Sequence, residues 1–291
     1  MNRVTLAGRE IELTRSDKIF FPEDSITKGE VVSYYEKIAE RMLEIIRDRP
    51  IVMHRFPDGV EGEDFFHKNM PDYFPDWISS IELPKTDGSV RYVVAEEPAT
   101  LVYLANAGTI AFHYLLASVD NPDQPAEMIF DLDPPKDADG SLVAFAARKI
   151  RDALAAIDMP AYANSTGSRG LHIHVPLEPG VTFEQTRALS GSLAAQIAER
   201  FPDRLTTEQR KDKRRGRLFI DTLRNSYGQH AIVPYSLRAL PHAPIAIPLD
   251  WREATSSRFD PRRITLTNVF RRLSHKEDPW SAMHATPGAT H

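Results

Sequence analysis

The chain has 291 residues, 42% of them hydrophobic and 26% charged, so it can bury a substantial core and is predicted to be soluble and globular. It has no cysteine, no apolar run of membrane-spanning length and no apolar leader. Disulfides, thiolate metal sites and cysteine nucleophiles are therefore excluded, and we expect a cytoplasmic protein whose metal ligands would be oxygen or imidazole. The net charge of −5 argues at first sight against a nucleic-acid partner.

Hydrophobic periodicity predicts the elements of the first part of the chain. Apolar residues spaced three and four apart, from Val31 to Ile46, predict a helix that ends before Pro50. Strands are predicted over 4–13, 51–56 and 90–94, a long irregular loop over 61–75, and a helix over 99–107.

From residue 127 onward, strands and helices alternate. Strands are predicted over 127–133, 162–165, 171–176, 217–221 and 231–234, helices over 142–157 and 182–200, and a loosely ordered tail over 279–291. This alternation is typical of an α/β or α+β enzyme core.

Charge is unevenly distributed along the chain. Between Arg204 and Lys276 there are sixteen Lys and Arg residues against six Asp and Glu residues. Phosphate contacts depend on local charge, so this segregation indicates a polyanion only weakly, and an ordinary basic face explains it equally well.

The sharpest local feature is the sequence Phe-Asp-Leu-Asp-Pro-Pro at 130–135. In a strand, residues i and i+2 share a face, so Asp131 and Asp133 lie side by side and would repel each other unless they shared a cation. Mg²⁺ or Mn²⁺ would suit such oxygen ligands. Asp221 ends a second apolar strand and could complete a site for two metal ions about 4 Å apart. A polar turn at a strand end is the alternative for the Asp-x-Asp motif alone.

A Gly-rich turn joins two of the predicted strands at 164–174, with the sequence Asn-Ser-Thr-Gly-Ser-Arg-Gly-Leu-His-Ile-His. Its glycines allow backbone N–H groups to converge on an anion, to which Ser168 and Arg169 would add donors. His172 and His174 share a face and could bind either a metal or phosphate. Arg238, at another strand end, suits bidentate phosphate binding. A plain hairpin loop is the alternative.

Six blocks, in this order, resemble the polymerase domain of prokaryotic ligase D, a non-homologous end-joining polymerase of the archaeo-eukaryotic primase superfamily. They are Thr-Arg-Ser-Asp-Lys at 14–18, Asp-Phe-Phe-His-Lys-Asn at 64–69, Asp-Leu-Asp-Pro at 131–134, Ser-Thr-Gly-Ser-Arg-Gly-Leu-His at 165–172, Phe-Ile-Asp at 219–221 and Pro-Tyr-Ser-Leu-Arg at 234–238. The resemblance implies one α/β (α+β) primase-polymerase domain over 1–291, with two packed β-sheets flanked by helices. An N-terminal part (1–120) would contact DNA, and an RRM-like part (121–275) would be catalytic.

The resemblance also implies the function and the roles of particular residues. The chain would add NTPs or dNTPs to a 3′-OH at gapped or broken 5′-phosphorylated DNA, with two Mn²⁺ or Mg²⁺ ions. The implied metal ligands and catalytic residues are Asp131, Asp133 and Asp221; the nucleotide-binding residues are Ser168, Arg169, His172, Arg238 and His113. For DNA, Lys18 and Lys28 would hold the 5′-phosphate, Phe65 and Phe66 would stack on template bases, and Arg214 would position template or primer. Partners would be Ku and separate ligase and phosphoesterase proteins.

Two features depart from the pattern, and two other functions stay open. Arg169 stands where many relatives have lysine. Lys-Thr-Asp-Gly at 85–88 spells a nucleotidyl-ligase motif, which we interpret as a turn. The first alternative function is a metal-dependent phosphoesterase that uses Asp131, Asp133, His172 and His174. The second is a catalytically silent, RRM-like module that binds DNA ends.

Overall fold

The computed structural model describes residues 2–284 of the chain. The strands are β1 (Asn2–Leu6), β2 (Arg9–Leu13), β3 (Ile19–Phe21), β4 (Ile26–Thr27), β5 (Pro50–Arg55), β6 (Phe65–His67), β7 (Ser80–Pro84), β8 (Ser89–Val94), β9 (Thr109–Leu115), β10 (Glu127–Asp133), β11 (Tyr162–Ser165), β12 (Leu171–Pro176), β13 (Leu205–Thr206), β14 (Leu218–Asp221), β15 (His230–Ile232) and β16 (Ile247–Leu249). The helices are α1 (Lys28–Ile46), α2 (Pro98–Asn106), α3 (Gly140–Ala155), α4 (Phe183–Arg200), α5 (Trp251–Ala254), α6 (Val269–Leu273) and α7 (Ser281–His284). Within the described residues, no helix has the length and apolar character needed to cross a membrane.

The predicted helices are confirmed, and their ends have local causes. In α1, the Thr27 side chain accepts a hydrogen bond from the Glu30 N–H while the Glu30 carboxylate accepts from the Thr27 N–H, which forms a capping box. A second capping box, between Thr182 and Gln185, begins α4. The apolar stripes of α1 and α3 are buried, as their spacing predicts.

The strand predictions differ from the structure in several places. The strand predicted over 4–13 is a hairpin, β1 and β2, because Ala7 and Gly8 both have positive φ and turn the chain. The loop predicted over 61–75 contains β6, which pairs with β5. Strands β3, β4, β7, β9, β13 and β16 were not predicted. Residues 85–88 join β7 to β8 in a tight turn, with Gly88 at φ +92°, so the turn interpretation of the ligase-like motif is confirmed.

The chain divides into two compact units that are interleaved along the sequence. Unit 1 consists of residues 1–122, 230–245 and 265–267, and unit 2 consists of residues 123–229, 246–264 and 268–291. The expected contiguous parts, 1–120 and 121–275, differ from this division. The cause is β15, which lies far along the chain but pairs with β9 of unit 1.

Unit 1 is built on a sheet with strand order β15-β9-β5-β8-β7, and β6 pairs with the end of β5 that follows its pairing with β8. Every residue of β9 is buried. A strand covered on both faces shows no alternation of polar and apolar residues, which explains why periodicity did not reveal it. Helices α1 and α2 pack against each other, and α2 contacts β9.

Unit 2 is built on a sheet with strand order β13-β14-β10-β12-β11-β16. The segment from β10 to β14 runs strand, helix, strand, strand, helix, strand, and its four main strands lie in the spatial order fourth, first, third, second. This is the split-βαβ arrangement found in RRM domains. Helices α3 and α4 contact β10, whose alternating residues Met128, Phe130 and Leu132 are fully buried.

The loosely ordered tail predicted over 279–291 is wrong for its first residues. Trp280 is only 1% exposed, and its indole N–H donates to the Ala163 carbonyl oxygen of β11 at 3.0 Å. Burial of the large ring fixes this segment against unit 2, and α7 follows directly. Residues 285–291 of the predicted tail lie outside the described part of the chain.

Candidate active site

The three predicted carboxylates come together on the sheet of unit 2. Asp131 on β10 is the direct cross-strand partner of Asp221 on the antiparallel strand β14. Asp133 lies two residues further along β10 and so shares the face of Asp131. Opposed residues of an antiparallel pair have Cβ atoms about 5 Å apart, so the three side chains form one acidic cluster.

Arginine side chains neutralise this cluster in the structure. Arg224 Nε donates to Asp131 Oδ2 at 2.7 Å. Asp133 accepts from Arg214 through one oxygen at 2.8 Å and from Arg169 through the other at 3.1 Å. Arg214 is firmly held, because it also donates to the Glu208 and Gln209 carbonyl oxygens and lies over the Phe219 ring.

The neighbours of Asp131 and Asp221 shift their pKa values in opposite directions. Burial alone would raise the pKa of Asp131, but the charge of Arg224 and the His172 ring outweigh burial and hold that pKa well below its ordinary value. Burial raises the pKa of Asp221, and the charge of Asp131 adds to the effect. Asp131 is therefore the firmly anionic member of the pair. An additional cation would stabilise the anionic form of Asp221 more than that of Asp131.

The donor chemistry of the cluster fits a hard divalent ion. Three carboxylates on neighbouring strands are ligands of the kind that Mg²⁺ and Mn²⁺ prefer. Within residues 2–284, however, no three acidic or histidine side chains are already arranged as a metal cage. The guanidinium groups of Arg224, Arg214 and Arg169 already hold oxygens of Asp131 and Asp133 that a metal would need.

The two histidines of β12 have different surroundings. His172 is the cross-strand partner of Asp131, and its Nε2 lies 3.5 Å from Asp131 Oδ2. Burial lowers the pKa of His172, against the opposing effect of Asp131. His174 is fully buried, 2.6 Å from Glu127 through Nδ1, and its ring lies 4.7 Å from that of Trp280. Because His174 is held by Glu127, the phosphoesterase ligand set of two aspartates and two histidines is not assembled.

The Gly-rich turn between β11 and β12 is stabilised by hydrogen bonds to the side chain of Thr166, which lies within the turn. The Thr166 hydroxyl accepts hydrogen bonds from the N–H groups of Ser168 and Gly170. Those N–H groups therefore point into the turn, whereas the sequence predicts that they converge on an external anion. The Ser168 side chain stays available as a donor at the turn, whereas the Arg169 guanidinium already donates to Asp133. Arg262, which sequence reasoning missed, donates to the Ser168 carbonyl oxygen at 2.8 Å.

In unit 1, Phe65 and Phe66 lie on the edge strand β6 and are 43% and 51% exposed, so they are not a core plug. The His54 ring stacks on Phe66 with centroids 4.0 Å apart and planes 14° from parallel. His113 on β9 contacts the Phe66 ring, and His230 contacts both. This aromatic surface, made of Phe65, Phe66, His54, His113 and His230, includes two histidines that the sequence did not point to.

Lys18 and Lys28 are neighbours in unit 1, because the Lys28 N–H donates to the Lys18 carbonyl oxygen at 2.8 Å. Neither is a freely solvated surface lysine. The Lys28 ammonium donates to the Thr14 hydroxyl at 2.8 Å, and the Lys18 ammonium is bonded to Asp58. Burial, together with the charges of Arg15 and Lys18, lowers the pKa of Lys28 to about 8. Arg15 thus joins a cluster of positive charge that sequence reasoning had assigned to the lysines alone.

The nucleotide-binding residues predicted from the sequence fall into both units. Ser168, Arg169 and His172 belong to unit 2, as do the three carboxylates and Arg214. His113 and Arg238 belong to unit 1, where the Arg238 N–H donates to the Pro244 carbonyl oxygen. Arg224, the main partner of Asp131, was also missed by sequence reasoning.

An RRM-like sheet that carries three clustered carboxylates on two adjacent strands defines a class of protein. It is the arrangement of metal-dependent enzymes that transfer nucleotidyl groups. The family described as LigD, primase-polymerase domain, matches residues 27–280, and the chain belongs to this family. Domains of this family are nucleotidyltransferases, and they generally depend on metal.

Individual relatives agree with the family. The chain is 31% identical over 279 residues to the bifunctional non-homologous end joining protein LigD of Bacillus subtilis (strain 168), covering 96% of this chain and 45% of that protein. It is 29% identical over 278 residues to the multifunctional non-homologous end joining DNA repair protein LigD of Mycobacterium tuberculosis, covering 93% of this chain and 36% of that protein. The chain thus spans less than half the length of these relatives.

A solved structure matches as well. It is the polymerase domain from Mycobacterium tuberculosis ligase D in complex with DNA, with a TM-score of 0.88 and 29% sequence identity. The match covers 94% of this chain and 98% of that one. The α/β fold class and the resemblance to ligase D polymerase domains are therefore confirmed.

Proposed function

We propose that the chain acts as one primase-polymerase domain that adds NTPs or dNTPs to a 3′-OH at gapped or broken, 5′-phosphorylated DNA during end joining. The observation that carries this proposal is the cross-strand pairing of Asp131 with Asp221, with Asp133 on the same face. Family membership supports the reaction class. The DNA bound in the M. tuberculosis polymerase-domain structure supports the substrate.

Asp131, Asp133 and Asp221 would hold two divalent ions, Mn²⁺ or Mg²⁺. When bound, these ions would lower the pKa of the attacking 3′-hydroxyl, and they would neutralise charge on the triphosphate and on the pyrophosphate that leaves as the new phosphodiester bond forms. Asp131 would become a ligand once Arg224 releases its hydrogen bond, because its lowered pKa keeps the carboxylate anionic. For Asp133 to join it, Arg214 and Arg169 must release their hydrogen bonds. A released guanidinium would then be free to bind phosphate oxygens, so one group serves as counter-ion and then as substrate ligand.

The incoming nucleotide would be held mainly by donors near the Gly-rich turn. Ser168 and Arg169 project from that turn, and His172 lies beside Asp131. His172 is buried and its pKa is lowered, which favours a neutral ring that can donate one hydrogen bond to a phosphate oxygen. We propose that Arg238 and His113 of unit 1 also contact the nucleotide.

The DNA would be bound by unit 1 and by Arg214. Lys18 and Lys28, with Arg15 beside them, form a compact positive site suited to a 5′-phosphate. Phe65 and Phe66 are exposed aromatics on an edge strand, and unpaired bases commonly stack on such side chains. Arg214 would position template or primer once it leaves Asp133.

End joining needs activities besides nucleotide addition. We propose Ku as the partner that brings DNA ends to the enzyme, and separate ligase and phosphoesterase proteins for sealing and trimming. Since the relatives come from bacteria, where DNA lies in the cytoplasm, we propose that the reaction takes place there.

Primer extension on a gapped duplex with a 5′-phosphate tests the proposal. Wild type should add each NTP and dNTP with Mn²⁺ or Mg²⁺, and Asp131→Ala should lower the rate at least about a hundredfold, because loss of a metal ligand removes several kcal/mol of transition-state stabilisation. Asp203→Asn, an exposed acidic residue of unit 2, is the matched control and should extend like wild type. No extension by wild type under any of these conditions would favour a silent end-binding module, and extension by Asp131→Ala at the wild-type rate would show that the acidic cluster is not the catalytic site.

A further inference from the structure

Unit 2 contains a cavity of about 670 Å³ that none of the proposed catalytic or DNA-binding residues line. Its walls come from the segment after β16, from α5 and α6, and from Ser165 at the end of β11. The volume lies in the range of pockets that hold a ligand the size of a nucleotide.

The walls of this cavity are strongly basic. Five arginines and His275 line it, against two carboxylates, Glu253 and Asp260. Arg272 is already paired with Glu253 through both carboxylate oxygens. The other four arginines are exposed, and their guanidinium groups make no hydrogen bond or ion pair with any other residue of the described chain. These four are Arg252, Arg258, Arg263 and Arg271.

Apolar side chains line another part of the same cavity. Ile247, Leu249 and Phe259 are all buried and face it. A ligand that fits this lining has an apolar, flat part and more than one anionic group. Guanidinium groups bind phosphate in a bidentate manner, and apolar surface accepts a base or sugar. A chain of carboxylates, such as an acidic peptide segment, would leave the apolar surface unused.

The cavity is distinct from the acidic cluster. In the sheet, β16 lies three strands from β10, which is roughly 14 Å at the usual spacing between strands. One contact links the cavity segment to the Gly-rich turn, since Arg262, next to Arg263, donates to the Ser168 carbonyl oxygen. A ligand in the cavity would therefore lie close to that turn without contacting the carboxylates.

We propose that this cavity is a second, metal-independent site for nucleotide phosphates. The phosphates could come from a single-stranded segment of DNA or from a free nucleoside triphosphate, and both share the chemistry that the four arginines recognise. The site holds its ligand by charge and apolar contact alone, so binding does not need the divalent ions of the acidic cluster.

The test measures binding in EDTA, which separates this site from the metal-dependent one. Fluorescence anisotropy follows a labelled oligo-dT strand, and calorimetry follows ATP, for wild type and Arg258→Gln/Arg263→Gln. We expect at least a tenfold loss of affinity for one of the two probes. If the strand is the ligand, loss of two phosphate contacts should also reduce the slope of log K against log salt by about 1.4.

The matched control is Arg187→Gln/Arg200→Gln, which removes the same charge from exposed positions of α4 in the same unit. Loss for oligo-dT alone assigns a DNA strand to the cavity, and loss for ATP alone assigns a free nucleotide. Equal affinities in the two double variants, or equally strong binding of poly-glutamate by wild type, would overturn the proposal. Primer extension with Mn²⁺ does not depend on these binding results. A negative binding result would therefore reject the second site without rejecting the proposed polymerase function.

Discussion

Asp131 has a guanidinium on one side, an imidazole on another and a second carboxylate across the strand pair. A buried carboxylate of this kind is costly without a cation, and Arg224 supplies one in the structure. The same oxygen atoms are the ones a divalent ion would take. Arg224 and metal therefore compete for Asp131, which makes the arginine a stabilising residue in the metal-free protein.

This competition gives a prediction for Arg224→Gln. Without metal, the variant should lose about 1–3 kcal/mol of stability, because Asp131 keeps its charge but loses its main partner. Added Mn²⁺ should then raise the Tm of the variant more than that of wild type, since the vacated carboxylate is free to bind it. Thermal unfolding with and without Mn²⁺ measures both effects. Arg187→Gln serves as control, and identical Mn²⁺ responses in Arg224→Gln and wild type would contradict the competition.

The lowered pKa of Lys28 makes recognition of the proposed 5′-phosphate dependent on pH. With a pKa of about 8, the ammonium is mostly charged at pH 7 and mostly neutral at pH 9. The preference for 5′-phosphorylated over 5′-hydroxyl DNA should therefore fall about tenfold over this interval, because the charged fraction falls by that factor. Binding titrations of the two DNAs at several pH values measure it.

Lys28→Arg provides the comparison for this experiment, because a guanidinium stays charged throughout the interval. Its preference for the 5′-phosphate should stay level between pH 7 and 9. A wild-type preference that is just as level would show that Lys28 does not supply the charge that binds the phosphate.

At the scale of elements, the turn between β11 and β12 depends on close contact between backbones. A Cβ added at Gly170 would lie 2.0 Å from the Leu132 carbonyl oxygen of β10. No side-chain rotation can relieve an overlap with main chain, so the turn must move. Since Ser168 and Arg169 belong to this turn, a substitution that displaces the turn should weaken both the stability of the fold and the proposed nucleotide binding.

Gly170→Ala should lower the free energy of unfolding by about 1–3 kcal/mol or more, and it should weaken nucleotide addition as well. Gly191→Ala is the matched control, because Gly191 lies in α4 with no atom within 4 Å of an added Cβ. That substitution should leave stability unchanged or raise it by about 0.5–1 kcal/mol. Urea unfolding measures both, and equal stabilities of the two variants would contradict the argument.

Local patterns predicted the elements whose sequences carry a clear signal. Helix α1 was predicted because its apolar residues follow the helical period, and strand β10 because a short apolar run ends in acidic residues followed by two prolines. Strand β9 was missed because it is buried throughout. Strand β6 was missed because it has only three residues, Phe65–His67, and lies in a stretch that also contains Gly62, Pro71 and Pro75.

In the candidate site, too, the residues with a local sequence signal were predicted and the others were missed. The carboxylates were predicted because Asp131, Asp133 and Asp221 each end or nearly end an apolar strand. Arg224 and Arg262 were not, because their roles depend on contacts with residues 93 and 94 positions away. No spacing in the sequence encodes such contacts, which arise only once the sheet has formed.

At the scale of the whole molecule, a net charge of −5 coexists with local positive charge on both units. Unit 1 places Arg15, Lys18 and Lys28 together, and unit 2 has the arginine-lined cavity. The surplus of positive charge between Arg204 and Lys276 corresponds in part to this cavity, because all the arginines that line the cavity lie between those two residues. Phosphate recognition depends on these clusters and not on the total charge.

The route of the chain between the two units has a consequence for how such a protein can change over generations. Segments 230–245 and 265–267 of unit 1 are embedded in the stretch that otherwise encodes unit 2. A single recombination event that moved either unit to another gene would carry away strands of its neighbour or leave some of its own behind. We therefore expect the two units to be inherited together.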